Sequence, residues 1–136
     1  MPGIEVMTSR LLLDTHVLLW WLFDDHRLTA LARSIIQNPA NTILVSSASG
    51  WEISTKHRLG KLPQAEEAVS KLPSLLQRAR MDVLPISIEH ALAAGALPGP
   101  HRDPFDRMLI AQGQIEKLPI VTSDAAFKQY SVTLIW

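Results

Sequence analysis

The sequence predicts an α/β fold, a mostly parallel central sheet of four to five strands with helices on both faces. Short apolar segments rich in β-branched residues alternate with longer helical segments along the chain. Strands separated by helices form βαβ units, which place successive strands parallel to one another. The chain has 136 residues, 47% of them hydrophobic, which suits one domain with its own core. We therefore expect a single domain over residues 1–136.

The first βα unit is predicted from an apolar run close to the start of the chain. Arg10–Leu13 reads as a short strand. Val17–Phe23 is apolar on nearly all sides, which is typical of a buried helix. A second helix, Ala30–Gln37, follows with Thr29 as its N-cap.

The second strand is predicted at Thr42–Ser46, where apolar and β-branched residues are concentrated. A helix over Ala48–Leu59 follows, and Gly60 fits the position just beyond its C-terminus. Pro63–Arg80 is predicted to be helical with a break near Pro73, because proline removes a backbone donor.

The last part of the chain continues the alternation. Val83–Ile86 is a predicted strand and Ile88–Ala96 a predicted helix. The Pro-Gly-Pro content of Leu97–Arg102 predicts a loop, and Pro104 opens the helix Pro104–Lys117. The remaining predicted elements are the strand Ile120–Thr122, the short helix Ala125–Tyr130 and the strand Val132–Ile135.

Composition excludes several classes of protein. The chain has no cysteine, so disulfides, thiolate zinc sites and cysteine nucleophiles are excluded. The most apolar run, Leu11 to Phe23, contains Asp14 and His16 and is shorter than the ~20 residues of a membrane span. We therefore expect a cytoplasmic protein with no membrane contact. The 13 basic and 13 acidic residues give no net charge, which at first argues against a nucleic-acid partner.

Four acidic residues follow predicted strands or begin predicted helices at one edge of the sheet. Asp14 follows the first strand, and Asp124 follows the strand Ile120–Thr122 after one residue. Glu52 and Asp106 lie near the starts of their helices. Ligands of parallel sheets bind at the carboxyl ends of the strands. Carboxylates brought together there repel unless a cation neutralises them, and an all-oxygen ligand set suits Mg²⁺ or Mn²⁺.

Three of these acids also fit ordinary helix capping. Asp103 and Asp106 match the start of the helix at Pro104, and Asp124 could cap the helix that follows it. Ser49 and Glu52 have the spacing of a capping box. Asp14 is harder to explain in this way, because an apolar strand needs no acid at its end.

The sequence resembles PIN-domain ribonucleases, in particular the VapC-like toxins of bacterial toxin–antitoxin systems. The matching segments run from Leu11 to the end of the chain: LLLDTHVLLWWL, VSSASGWEISTKHRLGKL, LPGPHRDPFDRMLIAQ, VTSDAAF and the closing Trp136. The resemblance implies a PIN-like three-layer fold. The acidic quartet of the family corresponds to Asp14, Glu52, Asp106 and Asp124, with Asp103 as a further supporting acid.

The resemblance implies metal-dependent hydrolysis of RNA that leaves a 5′-phosphate and a 3′-hydroxyl. One Mg²⁺ or Mn²⁺ is expected on Asp14, Asp106 and Asp124, with Glu52 as a further ligand or as the group that orients water. A second ion would join when substrate phosphate supplies ligands. Thr15 and Ser123 are expected to support the acids.

The basic residues near these segments are candidate RNA contacts. Lys56 shares a helix face with Glu52, and Arg102 and Arg107 flank Asp106. An ion pair between Lys56 and Glu52 is the simpler alternative. His16 and His101 lack the spacing of a zinc motif, so we expect structural or hydrogen-bonding roles for them.

The partners implied by the resemblance are an RNA substrate, a cognate antitoxin protein and a second copy of the chain in a homodimer. Trp20 and Trp21 are adjacent and cannot fully share one helix face, so one of them could line a groove for the antitoxin while the other is in the core. The alternative is that both belong to the core. Two alternatives stay open. One is a catalytically inert PIN-like module that binds RNA or protein, and the other is a phosphatase with Asp14 as nucleophile.

The charge balance is interpreted differently when the four acids of the quartet are counted separately from the rest of the chain. The remaining nine acids then face 13 basic residues. The chain is better interpreted as a mildly basic body around an acidic site that needs a cation before phosphate can approach.

Overall fold

Five parallel strands form one sheet in the computed structural model, which describes residues 9–136. The first eight residues of the predicted domain lie outside the described part. The strands are β1 (Arg10–Leu13), β2 (Thr42–Ser46), β3 (Asp82–Leu84), β4 (Ile120–Val121) and β5 (Leu134–Ile135). Their order across the sheet is β3-β2-β1-β4-β5, and every neighbouring pair is parallel. The predicted parallel α/β architecture is confirmed.

Six α-helices connect the strands. They are α1 (Thr15–Leu22), α2 (Ala30–Gln37), α3 (Ser47–Arg58), α4 (Glu66–Arg78), α5 (Ile88–Ala96) and α6 (Pro104–Glu116). Short 3₁₀ segments cover Pro63–Ala65 and Ala125–Gln129. No helix within residues 9–136 combines the length and the apolar character needed to cross a bilayer.

The two faces of the sheet carry separate apolar cores. In β1, Leu11 and Leu13 point into one core and Leu12 into the other, as the alternation of a strand requires. The first core joins the sheet to α1, α2, α3 and α4, and the second joins it to α6. Helix α5 packs on α6. Helices therefore cover both faces, which gives the three layers predicted from the sequence.

The strand order places a topological switch point between β1 and β4. The chain runs outward from β1 through β2 to β3 and then returns to the other side of β1 as β4 and β5. Leu13 is paired with Val121, so the next residues, Asp14 and Thr122, lie level with each other at the carboxyl edge. Open parallel sheets bind ligands at such a crevice.

One local prediction is wrong, and one alternative interpretation does not hold. Helix α4 continues through Pro73 without a break. Pro73 lies on the exposed side of this helix, while Ala68 and Leu76 are buried, so tertiary packing outweighs the lost backbone hydrogen bond. The capping box of Ser49 and Glu52 does not form.

The cap of α3 lies three residues earlier than the capping-box pattern suggested. The hydroxyl of Ser46 accepts a hydrogen bond from the amide of Ala48, and Ser49 lies inside the helix. Three other termini are as predicted: Thr29 and Asp103 cap their helices, and Gly60 adopts a positive φ of 75° after α3.

Candidate active site

Asp14 is a buried carboxylate at the centre of the carboxyl edge. It follows β1, is 2% exposed, and its amide donates to the carbonyl of Val121. The hydroxyl of Thr122 donates to its Oδ2 over 2.7 Å. Burial raises the pKa of Asp14 despite this hydrogen bond, and the charge of Glu52 raises it further. A carboxylate this deep is costly unless a cation neutralises it.

Glu52 lies in the second turn of α3 and is 1% exposed. The ammonium of Lys56, one helical turn later, donates to its Oε2 over 2.5 Å. Its other oxygen, Oε1, is buried and accepts no hydrogen bond from the described residues. Because the capping box is absent, the Glu52 side chain does not cap the start of its own helix and is available to the site.

Asp106 lies in the first turn of α6, where Asp103 caps the helix and accepts hydrogen bonds from the amides of Phe105 and Asp106. Its Oδ2 lies 2.8 Å from Nε2 of His101. Burial raises the pKa of Asp106 to about 7, and the charges of Asp103, Asp14 and Glu52 add to that rise, although the histidine opposes it. Three acids from β1, α3 and α6 therefore influence one another electrostatically.

Asp124 lies at the margin of this group. Its Oδ1 accepts a hydrogen bond from the amide of Ala126, so it caps the 3₁₀ segment that follows. Its own amide donates to the hydroxyl of Thr122 over 3.0 Å. Thr122 thus connects Asp124 to Asp14, and the capping alternative for Asp124 is correct in this structure.

The other predicted supporting residues divide into two kinds. Thr15 is 2% exposed, and its hydroxyl lies 2.8 Å from that of Ser49, which joins the starts of α1 and α3. Ser123 is exposed, and its neighbour Thr122 makes the contacts that were expected of it. His101 has the predicted hydrogen-bonding role, whereas His16 is exposed.

The three candidate RNA contacts differ in what their side chains already bind. Arg102 is exposed, and Lys56 is paired with Glu52. The guanidinium of Arg107 donates to four backbone carbonyls, those of Ala94, Gly95, Leu97 and His101. Its donors therefore hold the end of α5 and the α5–α6 loop, which gives Arg107 a structural role, and its contact with RNA stays a prediction.

The donor set at this edge suits a hard divalent cation. It consists of carboxylate oxygens, one of which, Oε1 of Glu52, is buried without a partner. Within residues 9–136, no three acidic or histidine side chains are arranged closely enough to hold an ion as they stand. Internal partners occupy these groups instead: Thr122 on Asp14, Lys56 on Glu52 and His101 on Asp106. The residues fit Mg²⁺ or Mn²⁺ in chemistry, and binding would require these side chains to exchange partners.

Sequence reasoning missed Thr122 and Trp51. The sequence predicts Thr122 only as the last residue of a strand. The sequence of that strand alone does not show that its hydroxyl faces the acid at the end of the neighbouring strand. Trp51 is 61% exposed and packs edge-on against Phe105, with ring centroids 4.7 Å apart. Trp20 and Trp21, by contrast, are both partly buried against the core.

Comparison with known proteins agrees with this fold. The PIN domain family model matches residues 11–132, so the chain belongs to the PIN domain family. Two proteins of Mycobacterium tuberculosis are similar to it. Ribonuclease VapC22 is 28% identical over 123 residues, which cover 90% of this chain and 92% of that protein. Ribonuclease VapC16 is 44% identical over 62 residues, covering 46% of this chain and only 43% of that protein's length.

Solved structures with the same fold include VapBC and FitAcB complexes. VapBC2 from Rickettsia felis bound to a promoter DNA fragment has a TM-score of 0.66 at 20% identity, covering 94% of this chain and 99% of that one. DNA-bound VapBC from Salmonella typhimurium has a TM-score of 0.65 at 16% identity, covering 95% and 98%. FitAcB from Neisseria gonorrhoeae has a TM-score of 0.64 at 20% identity, covering 96% and 97%. These likenesses establish the shared fold.

Proposed function

We propose that this protein is a Mg²⁺- or Mn²⁺-dependent endoribonuclease and the toxin of a toxin–antitoxin pair, which blocks translation by cleaving RNA. The observation that carries the proposal is the meeting of Asp14, Glu52 and Asp106 at the switch point of the sheet, with Asp124 joined to Asp14 through Thr122. The similarity to two curated VapC ribonucleases supports the same activity.

The acidic quartet would hold the ion. When bound, the ion would supply charge neutralisation for the phosphodiester and an acidified water. Asp14 and Asp106 are the proposed direct ligands, and Asp124 would bind directly or through water. Glu52 would contribute its free Oε1 or orient the attacking water.

Neighbouring residues at the carboxyl edge would hold the four acids in position for metal binding. The hydroxyl of Thr122 holds Asp14, and the bond between Thr15 and Ser49 fixes the starts of α1 and α3. Asp103 fixes the first turn of α6, which carries Asp106. Arg102 is exposed beside this turn and would contact the RNA backbone, which positions a nucleic acid without reading its bases.

The proposed protein partners are a cognate antitoxin and a second copy of the chain. An apolar pocket of about 190 Å³ lies between Trp51 on α3, Ala94 on α5 and Met108 on α6, and its lining includes Arg107, the residue that follows Asp106. The exposed Trp51 offers the kind of aromatic contact that is enriched at protein interfaces. We propose that a segment of the antitoxin binds here, next to the acids that a basic side chain of the antitoxin would neutralise.

Cleavage of a defined RNA by the purified protein tests the enzymatic proposal. We expect Asp14→Asn, Glu52→Gln and Asp106→Asn to lose at least about 100-fold in rate, since each removes a charge that positions the ion. Glu67→Gln is the matched control, because Glu67 is exposed and also pairs with a lysine four residues later. Unchanged cleavage by the Asp14 and Asp106 variants would exclude this site.

Metal dependence is tested separately by chelation. We expect cleavage to stop in excess chelator and to return with Mg²⁺ or Mn²⁺. Cleavage that persists in excess chelator would contradict the metal mechanism. A folded protein that binds Mn²⁺ and cuts no RNA would instead support the inert binding module.

The toxin role is tested in cells. Expression of the wild-type chain alone is expected to arrest growth, and Asp14→Asn should not. Co-expression with the product of a short adjacent gene is expected to restore growth. If growth continues while RNase activity is intact in vitro, the toxin assignment fails and the nuclease assignment stands.

A further inference from the structure

Lys56 forms an unusual ion pair for a lysine on a helix surface. Its partner Glu52 lies one turn earlier, and the side chain of that glutamate is 2% exposed while the lysine side chain is 28% exposed. Lys71 and Glu67 on α4 have the same spacing, but their atoms are 3.5 Å apart and their side chains are 61% and 70% exposed. Lys56 therefore directs its ammonium inward, onto a buried carboxylate.

The ammonium of Lys56 also interacts electrostatically with carboxylates at the start of a second helix. Burial lowers the pKa of Lys56, but the hydrogen bond to Glu52 and the charges of Glu52, Asp103 and Asp106 outweigh burial and raise it. The direct contact of the ammonium is with Glu52, and the acids at the start of α6 add to the field that favours its charged form.

Glu52 gives an independent indication that a ligand belongs at this point. Its Oε1 is buried and unpartnered among the described residues, whereas Oε2 is held by Lys56. A buried charged oxygen without a donor is expensive. The ammonium therefore balances the charge of Glu52 but leaves one of its two oxygens without a hydrogen-bond donor.

We propose that Lys56 is an internal counter-ion of the acidic site, which neutralises Glu52 in the metal-free protein and lowers the affinity of the site for a divalent cation. The inference rests on the proposed metal-dependent function. Two cations close to the same carboxylates repel each other, so binding of the ion displaces the ammonium from Oε2 of Glu52. By thermodynamic linkage, the Lys56–Glu52 ion pair weakens metal binding by the same free energy by which metal binding weakens the ion pair.

Mn²⁺ titration of the metal-free chain by calorimetry tests the inference. Lys56→Met removes the ammonium and keeps an unbranched side chain of nearly the same length, and we expect Mn²⁺ to bind at least about fivefold more tightly. Lys56→Arg keeps the charge and is expected to stay within about twofold of the wild type. Lys71→Met, from the exposed pair on α4, is the control and should not change binding.

A second measurement uses the wild-type chain and avoids any folding defect of the variants. Lysine acetylation by an excess of an amine-reactive ester is mapped by mass spectrometry with and without Mg²⁺. We expect Lys56 to react at least about fivefold faster with Mg²⁺ present, because its ammonium is released to solvent. The reactivity of Lys71 should stay the same.

The outcomes separate this inference from the proposed function. If the wild type binds Mn²⁺ and Lys56→Met binds it no more tightly, or Lys56 reactivity does not change, the counter-ion role is wrong and the nuclease proposal stands. If the wild type binds no Mn²⁺, both the metal site and the counter-ion are overturned. Tighter binding by Lys56→Met together with metal-dependent exposure of Lys56 supports the inference.

Discussion

The hydroxyl of Thr122 donates a 2.7 Å hydrogen bond to Oδ2 of Asp14, 108 residues away in the chain. The hydroxyl oxygen of Thr122 in turn accepts a hydrogen bond from the amide of Asp124. One threonine at the end of β4 thereby joins the first and last acids of the quartet across the switch point. It can do so because β1 and β4 are adjacent and in parallel register.

We expect Thr122→Val to lose about 1.5–3 kcal/mol of unfolding free energy, the usual value of a hydrogen bond to a charged group. RNA cleavage should fall with it, because Asp14 loses the donor that fixes its orientation. Denaturant unfolding and single-turnover cleavage measure the two effects. Thr122→Ser should recover most of both, and Thr133→Val, at an exposed position before β5, should change neither. A fully active Thr122→Val would show that this bond does not orient Asp14.

The raised pKa of Asp106 predicts a pH-dependent stability of the metal-free protein. A carboxyl group whose pKa is higher in the folded chain than in the unfolded chain stabilises the folded state when it is protonated. This contribution is complete below the unfolded pKa of 3.8. That contribution is lost as the pH rises through the folded pKa of about 7. The raised pKa of Asp14 acts in the same direction. We therefore expect the melting temperature in chelator to fall between pH 4 and pH 7.

Asp106→Asn should flatten this pH dependence, and Glu67→Gln, which changes an exposed acid, should leave it intact. Differential scanning calorimetry in chelator at several pH values makes the comparison. Mg²⁺ should offset part of the loss near pH 7, because the ion binds the ionised carboxylate. A melting temperature that rises steadily from pH 4 to pH 7 in all proteins would contradict the predicted titration.

Arg107 is expected to be irreplaceable by lysine. Its planar guanidinium donates in several directions to carbonyls of the α5–α6 loop, which a single ammonium cannot do. We expect Arg107→Lys to cost about 1–3 kcal/mol of unfolding free energy. Cleavage should also fall, because the carbonyl of His101 is one of the acceptors and His101 contacts Asp106. Arg102→Lys is the control and should be stable, and equal stability of the two variants would refute the structural role.

Close packing between α6 and β4 makes Gly113 a stability determinant. A Cβ at this position would lie 2.9 Å from Cδ1 of Ile120, so Gly113→Ala should cost about 1–3 kcal/mol through overpacking. Gly95→Ala in α5 meets no described atom within 4 Å and should stabilise the protein by about 0.5–1 kcal/mol through helix propensity. Thermal unfolding of the two variants checks the opposite signs. Equal effects would mean that α6 shifts freely on the sheet.

The fold could be predicted because its signals are local. The strands at Arg10–Leu13 and Thr42–Ser46 begin and end as predicted, since each is a β-branched or apolar run with clear limits. The break predicted near Pro73 is absent because α4 is stabilised by burial of its opposite face. That burial is a tertiary effect, which the local sequence does not show. Asp14 and Asp124 could be predicted at this edge from their places after strands, and Glu52 and Asp106 from their places near helix starts. The pairing of Asp106 with His101 depends on the path of a loop.

The sequence predicts the carboxylates of the site more readily than the hydrogen bonds that hold them. Acids at strand ends are visible in the sequence, but their donors come from distant segments, as Thr122 does for Asp14. Ser49 was interpreted as a cap and instead bonds Thr15. The spacing of Lys56 and Glu52 predicted their ion pair, and only the three-dimensional arrangement showed that the glutamate is buried.

The central position of β1 has a consequence for the time at which the site forms during synthesis. β1 is made first among the described strands, yet one of its two neighbours in the sheet, β4, begins only at residue 120. A nascent chain that ends before this residue lacks Thr122 and Asp124 and leaves one side of β1 unpaired. The acidic edge is therefore completed only when the last part of the chain leaves the ribosome.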